Sequence, residues 1–200
     1  MIIAFKLIMN NFMYRNFEIL KKYSTSEKVF DVILCHSLKV LAKSIEIVNQ
    51  KKLYDKVDFD LIISGAILHD IGAFEFLEEK YKGGASANNG VAKPKLKNYI
   101  QHGIIGAEIL RKEGLLKEAL IAERHTGSGF TKKEIVANSW DLPQKDFLPI
   151  SLEEKIICYA DKFSSKNPDK KDTLETIEKE FESYGKEPLR RFLELKKMFE

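Results

Sequence analysis

Between Val29 and Val48 the apolar positions recur every three or four residues, through Phe30, Ile33, Leu34, Leu38, Val40, Leu41 and Ile45, the spacing of one face of an α-helix. Ser24 with Glu27 has the form of a capping box, and Lys51 with Lys52 suits the negative end of the macrodipole. The pattern predicts a helix over roughly 25–51. The next run, Leu61 to Leu68, is apolar on every side, and Asp58 or Asp60 can cap it. A helix without a polar face belongs at the centre of a fold. Gly72, just beyond it, is expected to let the chain turn away.

Glycine, serine and asparagine crowd residues 83–90, and lysines 93, 95 and 97 flank Pro94. Composition makes 83–98 a loop, open both to a substrate lid and to a plain connector. Tyr99 to Arg111 reads as a helix ended by Gly114, in which Gly103 and Gly106 allow a close neighbour; Leu115 to Arg124 reads as another. The Thr126–Gly129 segment breaks the pattern, and an irregular stretch with Trp140, Pro143 and Pro149 follows. Ser151 with Glu154 starts a helix expected over Leu152 to Phe163. Two amphipathic helices close the chain, roughly 170–184 and 188–199, split by Gly185 and opened by Pro188. No run alternates with period two, so the expected fold is all-α, a helical bundle without a glycine-rich phosphate loop.

With 200 residues, 44% of them hydrophobic, the chain can bury one good core, and a single domain over 1–200 is expected. The 33 basic and 30 acidic residues are spread, leaving a net charge of +3; neither a nucleic-acid nor a membrane partner follows, while a small anion suits it. Cys35 and Cys158 show no Cys-x-x-Cys spacing and sit in apolar patterns, as buried thiols of a cytoplasmic protein would. The apolar first nine residues are too short to span a bilayer and are expected to form a helix packed on the core. Apolar positions in the first twenty residues and the last two helices are compatible with a homodimer, and equally with packing inside one chain.

All four histidines fall into one ordered series, His36, His69 next to Asp70, His102 and His125, with Asp161 beyond. Imidazole and carboxylate without thiolate is a ligand set for a catalytic divalent transition ion such as iron, manganese, zinc or cobalt. Six ligands are too many for one ion with an open position. Two ions use them better: His36, His69, Asp70 and Asp161 around the first, Asp70 again with His102 and His125 around the second. Such a pair activates water as hydroxide and neutralises a phosphoryl group, so hydrolysis of a phosphate ester or anhydride is the natural reaction, with Asp70 as its central catalytic residue.

Arg124 and Lys162 adjoin these ligands and are candidates to clamp phosphate oxygens, a guanidinium as a fork and an ammonium as a point charge. Thr126 with the amides of Gly127 and Ser128 forms a candidate anion nest. The alternative for each is ordinary: a solvated charge, or a turn.

Cys35-His36-Ser37, Leu68-His69-Asp70-Ile71-Gly72 and Ala160-Asp161-Lys162 together resemble the HD-domain superfamily of metal-dependent phosphohydrolases, in its HDIG form, over a core of roughly 25–165. His102 with Gly103 and Gly106, and Arg124-His125-Thr126-Gly127, resemble its branch with two extra histidines and a binuclear centre. Similar motifs occur in small prokaryotic HDIG proteins and symmetrical diadenosine tetraphosphate hydrolases. Many HDIG enzymes carry a lysine just after the glycine, where this chain has Ala73. Gly127-Ser-Gly-Phe130 departs from the Gly-Tyr-Pro of cyclic-di-GMP phosphodiesterases, which disfavours that substrate. The resemblance implies a phosphohydrolase of nucleotides or dinucleoside polyphosphates; a di-iron oxygenase of a small polyol or phosphonate, and a non-catalytic nucleotide-binding module, are the alternatives.

Overall fold

Nine α-helices form among the described residues of the computed structural model, which are 2–24, 26–77, 96–166 and 172–200, with the backbone alone for 2–11 and 96–98. They are α1 Ile2–Lys22, α2 Glu27–Gln50, α3 Phe59–Leu68, α4 His102–Lys112, α5 Leu116–Arg124, α6 Lys132–Ala137, α7 Leu152–Asp161, α8 Leu174–Tyr184 and α9 Lys186–Phe199. Short 3₁₀ turns at Ile71–Ala73 and Leu96–Gln101 lead away from α3 and into α4. The fold is all-α; pairing of extended backbone among the described residues amounts to isolated bridges such as Phe130 with Phe147. Most of the 83–98 stretch lies outside the described residues, and with it the choice between lid and connector.

Helix α3 is the central element. Every residue from Leu61 to Leu68 is buried, and α1, α2, α5 and α7 all pack against it. Its start is fixed by Asp58, whose side chain accepts from the Leu61 amide at 3.2 Å. Each fully buried Ile or Leu there contributes on the order of 1.5–3 kcal/mol, so the end of α3 is a rigid place from which to project His69 and Asp70.

The cap of α2 is Ser26, which accepts from the Val29 amide at 3.3 Å, and not the expected Ser24 with Glu27. Ser24 stands too far ahead of the first turn, and its hydroxyl donates to the Ser26 carbonyl. Ser151 caps α7 by accepting from the Glu154 amide at 3.1 Å. The box is half made, because the Glu154 carboxylate turns to the Ile150 amide and to Arg124. Helix α7 also ends at Asp161, two residues before the expected Phe163.

The stretch expected to be irregular contains α6, opened by a full capping box between Thr131 and Glu134. At the C-terminus, α9 begins at Lys186, not at Pro188, once Gly185 has reversed the chain at φ +113°. Helices α8 and α9 pair and close on α7 through Tyr159, which is buried among Phe163, Phe192 and Phe199 with its hydroxyl donating to Glu200. Cys158 is buried, as expected, and Cys35 is exposed, because its position on α2 faces away from the core.

Candidate metal centre

Four segments converge on the C-terminal end of α3. His36 comes from the middle of α2, His69 and Asp70 from the end of α3, His102 from the first residue of α4, His125 from just beyond α5, and Asp161 from the last residue of α7. The four imidazoles and Asp70 are buried, and Asp161 nearly so. His36 Nε2 lies 3.0 Å from Asp70 Oδ2, 3.1 Å from Asp161 Oδ1 and 3.0 Å from His69 Nε2. His102 Nε2 lies 3.2 Å from Asp70 Oδ1 and 3.0 Å from His125 Nε2, which is itself 3.5 Å from Asp70 Oδ1. Each Asp70 oxygen therefore faces its own pair of histidines.

Every imidazole has its other nitrogen on a backbone carbonyl: His36 Nδ1 on Ser164, His69 Nδ1 on Ala66 at 2.9 Å, His102 Nδ1 on Tyr99 at 2.6 Å and His125 Nδ1 on Ala122 at 2.8 Å. A carbonyl can only accept, so each Nδ1 carries the proton and each neutral ring keeps its lone pair on Nε2. Four lone pairs and two carboxylates then point at one another in a dry space, and neither Asp70 oxygen accepts a hydrogen bond of regular geometry. Such an array needs positive charge among its donors: Lys162 and Lys166 supply part of it at the carboxylates, and a divalent cation would supply the rest at the four Nε2 atoms. The residues fit the metal. His36, His69 and Asp161 gather three donor atoms within 4.8 Å of one another, and so do His69, Asp70 and His125. His69 is common to both trios, where the sequence reading assigned it to the first ion alone.

Protein cations also meet the carboxylates. Lys166 Nζ presses on Asp70 Oδ2 and lies 5.9 Å from the centre of the Tyr99 ring. Lys162 Nζ donates to Asp161 Oδ2 at 2.6 Å and to the His125 carbonyl at 3.2 Å. Burial alone would raise the Asp70 pKa, but Lys166 and the surrounding imidazoles outweigh it and hold the carboxyl well below the usual range. Asp161 is lowered likewise, burial being overcome by Lys162, His36 and His69. Burial pushes His125 down to about 4. His36 is raised instead, because its contacts to Asp161 and Asp70 exceed the opposing effects of burial and Lys166.

Of the expected substrate contacts, Lys162 lines the cavity beside the centre and the other two do not line it. Arg124 is committed elsewhere: its Nη1 donates to both Glu154 oxygens at 3.1 and 3.0 Å, an ion pair that joins α5 to α7. Thr126 is tucked against Gly103, where a β-carbon would stand 3.1 Å from its Oγ1. Gly127, at φ +61°, is the residue of that turn that reaches the cavity. Sequence reasoning missed Lys166, four residues past the nearest motif position, and Tyr99, whose ring stacks on His102 with centroids 4.5 Å apart; neither sits in a pattern that would have marked it.

A family model for the HD domain matches residues 33–166, close to the core of roughly 25–165 expected from the motifs. The chain belongs to the HD domain family, a superfamily of metal-dependent phosphohydrolases. An uncharacterized protein of Methanocaldococcus jannaschii is 38% identical over 148 residues, 72% of this chain and 73% of its own length. Two proteins described as tRNA (cytidine(56)-2'-O)-methyltransferases are also similar. That of Picrophilus torridus is 38% identical over 109 residues, 54% of this chain and 25% of its own; that of Thermoplasma volcanium is 30% identical over 145 residues, 72% and 34%. The chain thus spans only a quarter to a third of either methyltransferase. No solved structure matches significantly. Among the described residues no helix is long and apolar enough to cross a membrane.

Proposed function

We propose that this protein hydrolyses a phosphate ester or anhydride of a nucleotide. His36, His69 and Asp161 would hold one divalent transition cation, His102 and His125 the other, and Asp70 would bridge them. The observation that carries this reading is Asp70 itself, buried, with Oδ1 toward His102 and His125 and Oδ2 toward His36 and His69. When bound, a pair of such cations supplies an acidified water as nucleophile and neutralises the phosphoryl oxygens.

The chain's own residues do the rest. The four Nδ1 to carbonyl hydrogen bonds orient the rings before any cation arrives. Lys162 and Lys166 bring two ammonium groups to the cavity wall, where they serve an anionic substrate. The burial of the ligand set excludes bulk water, so these charges act in a weakly screened space.

The test is metal analysis of protein purified without chelator, coupled to a hydrolysis screen over mononucleotides and dinucleoside polyphosphates that follows both inorganic phosphate and nucleotide products, run with and without oxygen. Metal-dependent, oxygen-independent hydrolysis that is lost in Asp70→Asn supports the reading. A metal-loaded protein that hydrolyses none of these compounds overturns it. A second reading rests on the two methyltransferase relatives: the phosphate is carried on tRNA. Including tRNA in the screen separates the two.

A further inference from the structure

The cavity beside the ligands has a volume of about 400 Å³ and a chemically mixed lining. Its lining includes His36, Asp161, Lys162 and Lys166 of the centre, and Glu180, Phe181 and Tyr184 of α8. Helix α8 begins at Leu174, past residue 166 where the family match stops. That part of the lining is therefore supplied by a segment outside the family core.

Its aromatic residues are not equivalent. Phe181 is buried and stacked face to face on Phe192, with centroids 4.5 Å apart and planes at 8°. Tyr184 is 56% exposed, yet its ring is fixed. It stands edge-on to Phe181 at 5.7 Å, and its hydroxyl donates to Glu180 Oε1. A large ring left open to solvent, held from two sides, in the lining of a cavity that also carries two lysines has the chemistry of a stacking platform for a flat group attached to an anion.

We propose that Tyr184 is the surface on which the base of a nucleoside monophosphate stacks while its phosphate lies toward Lys162 and Lys166. This rests on the phosphohydrolase reading and narrows it. A volume near the low end of the range for small-molecule sites, roughly 300–1,000 Å³, has room for one nucleoside monophosphate.

Equilibrium binding of adenosine 5′-monophosphate and of ribose 5-phosphate to the full chain tests it. The two share a phosphorylated ribose and differ in the base. The nucleotide is expected to bind roughly tenfold tighter; Tyr184→Ala is expected to abolish that preference and Tyr184→Phe to keep it, because stacking needs the ring and not the hydroxyl. No preference in the wild-type protein, a preference that survives in Tyr184→Ala, or a diadenosine tetraphosphate that binds more tightly than the mononucleotide each overturns the proposal. The readout is independent of turnover. Base-dependent binding without hydrolysis sinks the reaction and leaves the platform standing; hydrolysis without base preference does the reverse.

Discussion

A β-carbon built on Gly72 would stand 2.1 Å from the carbonyl oxygen of His102 and 2.4 Å from the amide nitrogen of Gly106. The glycine of the His-Asp-Ile-Gly run is thus a spacer between two backbones, and not the turn residue that its position suggested; its φ is not positive. Its missing side chain lets the corner bearing His69 and Asp70 lie directly on the start of α4, which brings His102 to Asp70.

Gly72→Ala is therefore expected to push α4 away from that corner. Neither opposing atom is a flexible side-chain tip, so the clash is relieved only by moving backbone, at about 1–3 kcal/mol or more. Thermal melts and metal analysis check it: the midpoint should fall, and any cation that His102 and His125 would hold should be lost first. Unchanged stoichiometry in the variant contradicts the spacer role.

Asp70→Asn keeps the volume of the side chain and removes the charge that two cations would share. Metal content should drop sharply, and hydrolysis by about a thousandfold, as expected when a bridging anion is lost from a two-metal site. Retention of two ions per chain by the variant would show that Asp70 is not their bridge.

Lys166 and a cation compete for the same carboxylate, since the ammonium presses on Asp70 Oδ2. Lys166→Gln should bind metal more tightly, by several-fold for a partly screened charge, while its metal-free form melts lower because Asp70 has lost a counter-charge. Titration of the chelator-treated protein, followed by calorimetry, measures both. A variant that binds metal more weakly refutes the competition.

The metal-free protein should lose stability in mild acid through His125. Its folded pKa is about 4 against roughly 6.5 unfolded, so between those values the unfolded chain takes up a proton that the folded one refuses. Stability is fully present above pH 6.5 and falls as the pH drops toward 4, by about 3 kcal/mol in all. His36, raised in the fold, has the opposite sign. Its contribution is present below pH 6.5 and is lost as pH rises through its folded value, a higher window, so the two do not cancel. Urea midpoints at several pH values in chelator test this, and His125→Asn should flatten the slope.

Arg124→Gln should lower stability without raising KM. It strands the buried Glu154 carboxylate, which would retain the Ile150 amide at 2.7 Å, at a cost of about 1–3 kcal/mol. A raised KM with an unchanged melting point would return Arg124 to the substrate.

The helices with a strong apolar face, α2, α3, α7 and the closing pair, were legible from spacing because burial imposes that spacing. Helix α6 was overlooked although Thr131 and Glu134 stand at capping-box distance, because one buried residue, Ile135, leaves no periodic stripe. The six candidate ligands were legible because chemistry restricts them to two residue types in a fixed order. The wall of the cavity was not. Lys166, Tyr99 and Tyr184 are ordinary residues in sequence, and what distinguishes them is only which side of the fold they reach. Arg124 shows the converse: adjacency to His125 along the chain places it on another face, and an ion pair claims it.

Three of the four histidines anchor Nδ1 on the carbonyl three residues before them, Ala66, Tyr99 and Ala122. Their aim is thus set by the local winding of the chain that bears them, without help from a neighbouring segment. Assembly of the centre then reduces to docking pre-aimed parts, so the polypeptide should fold first and load its ions afterwards, and stripping the ions should leave an empty socket of the same shape.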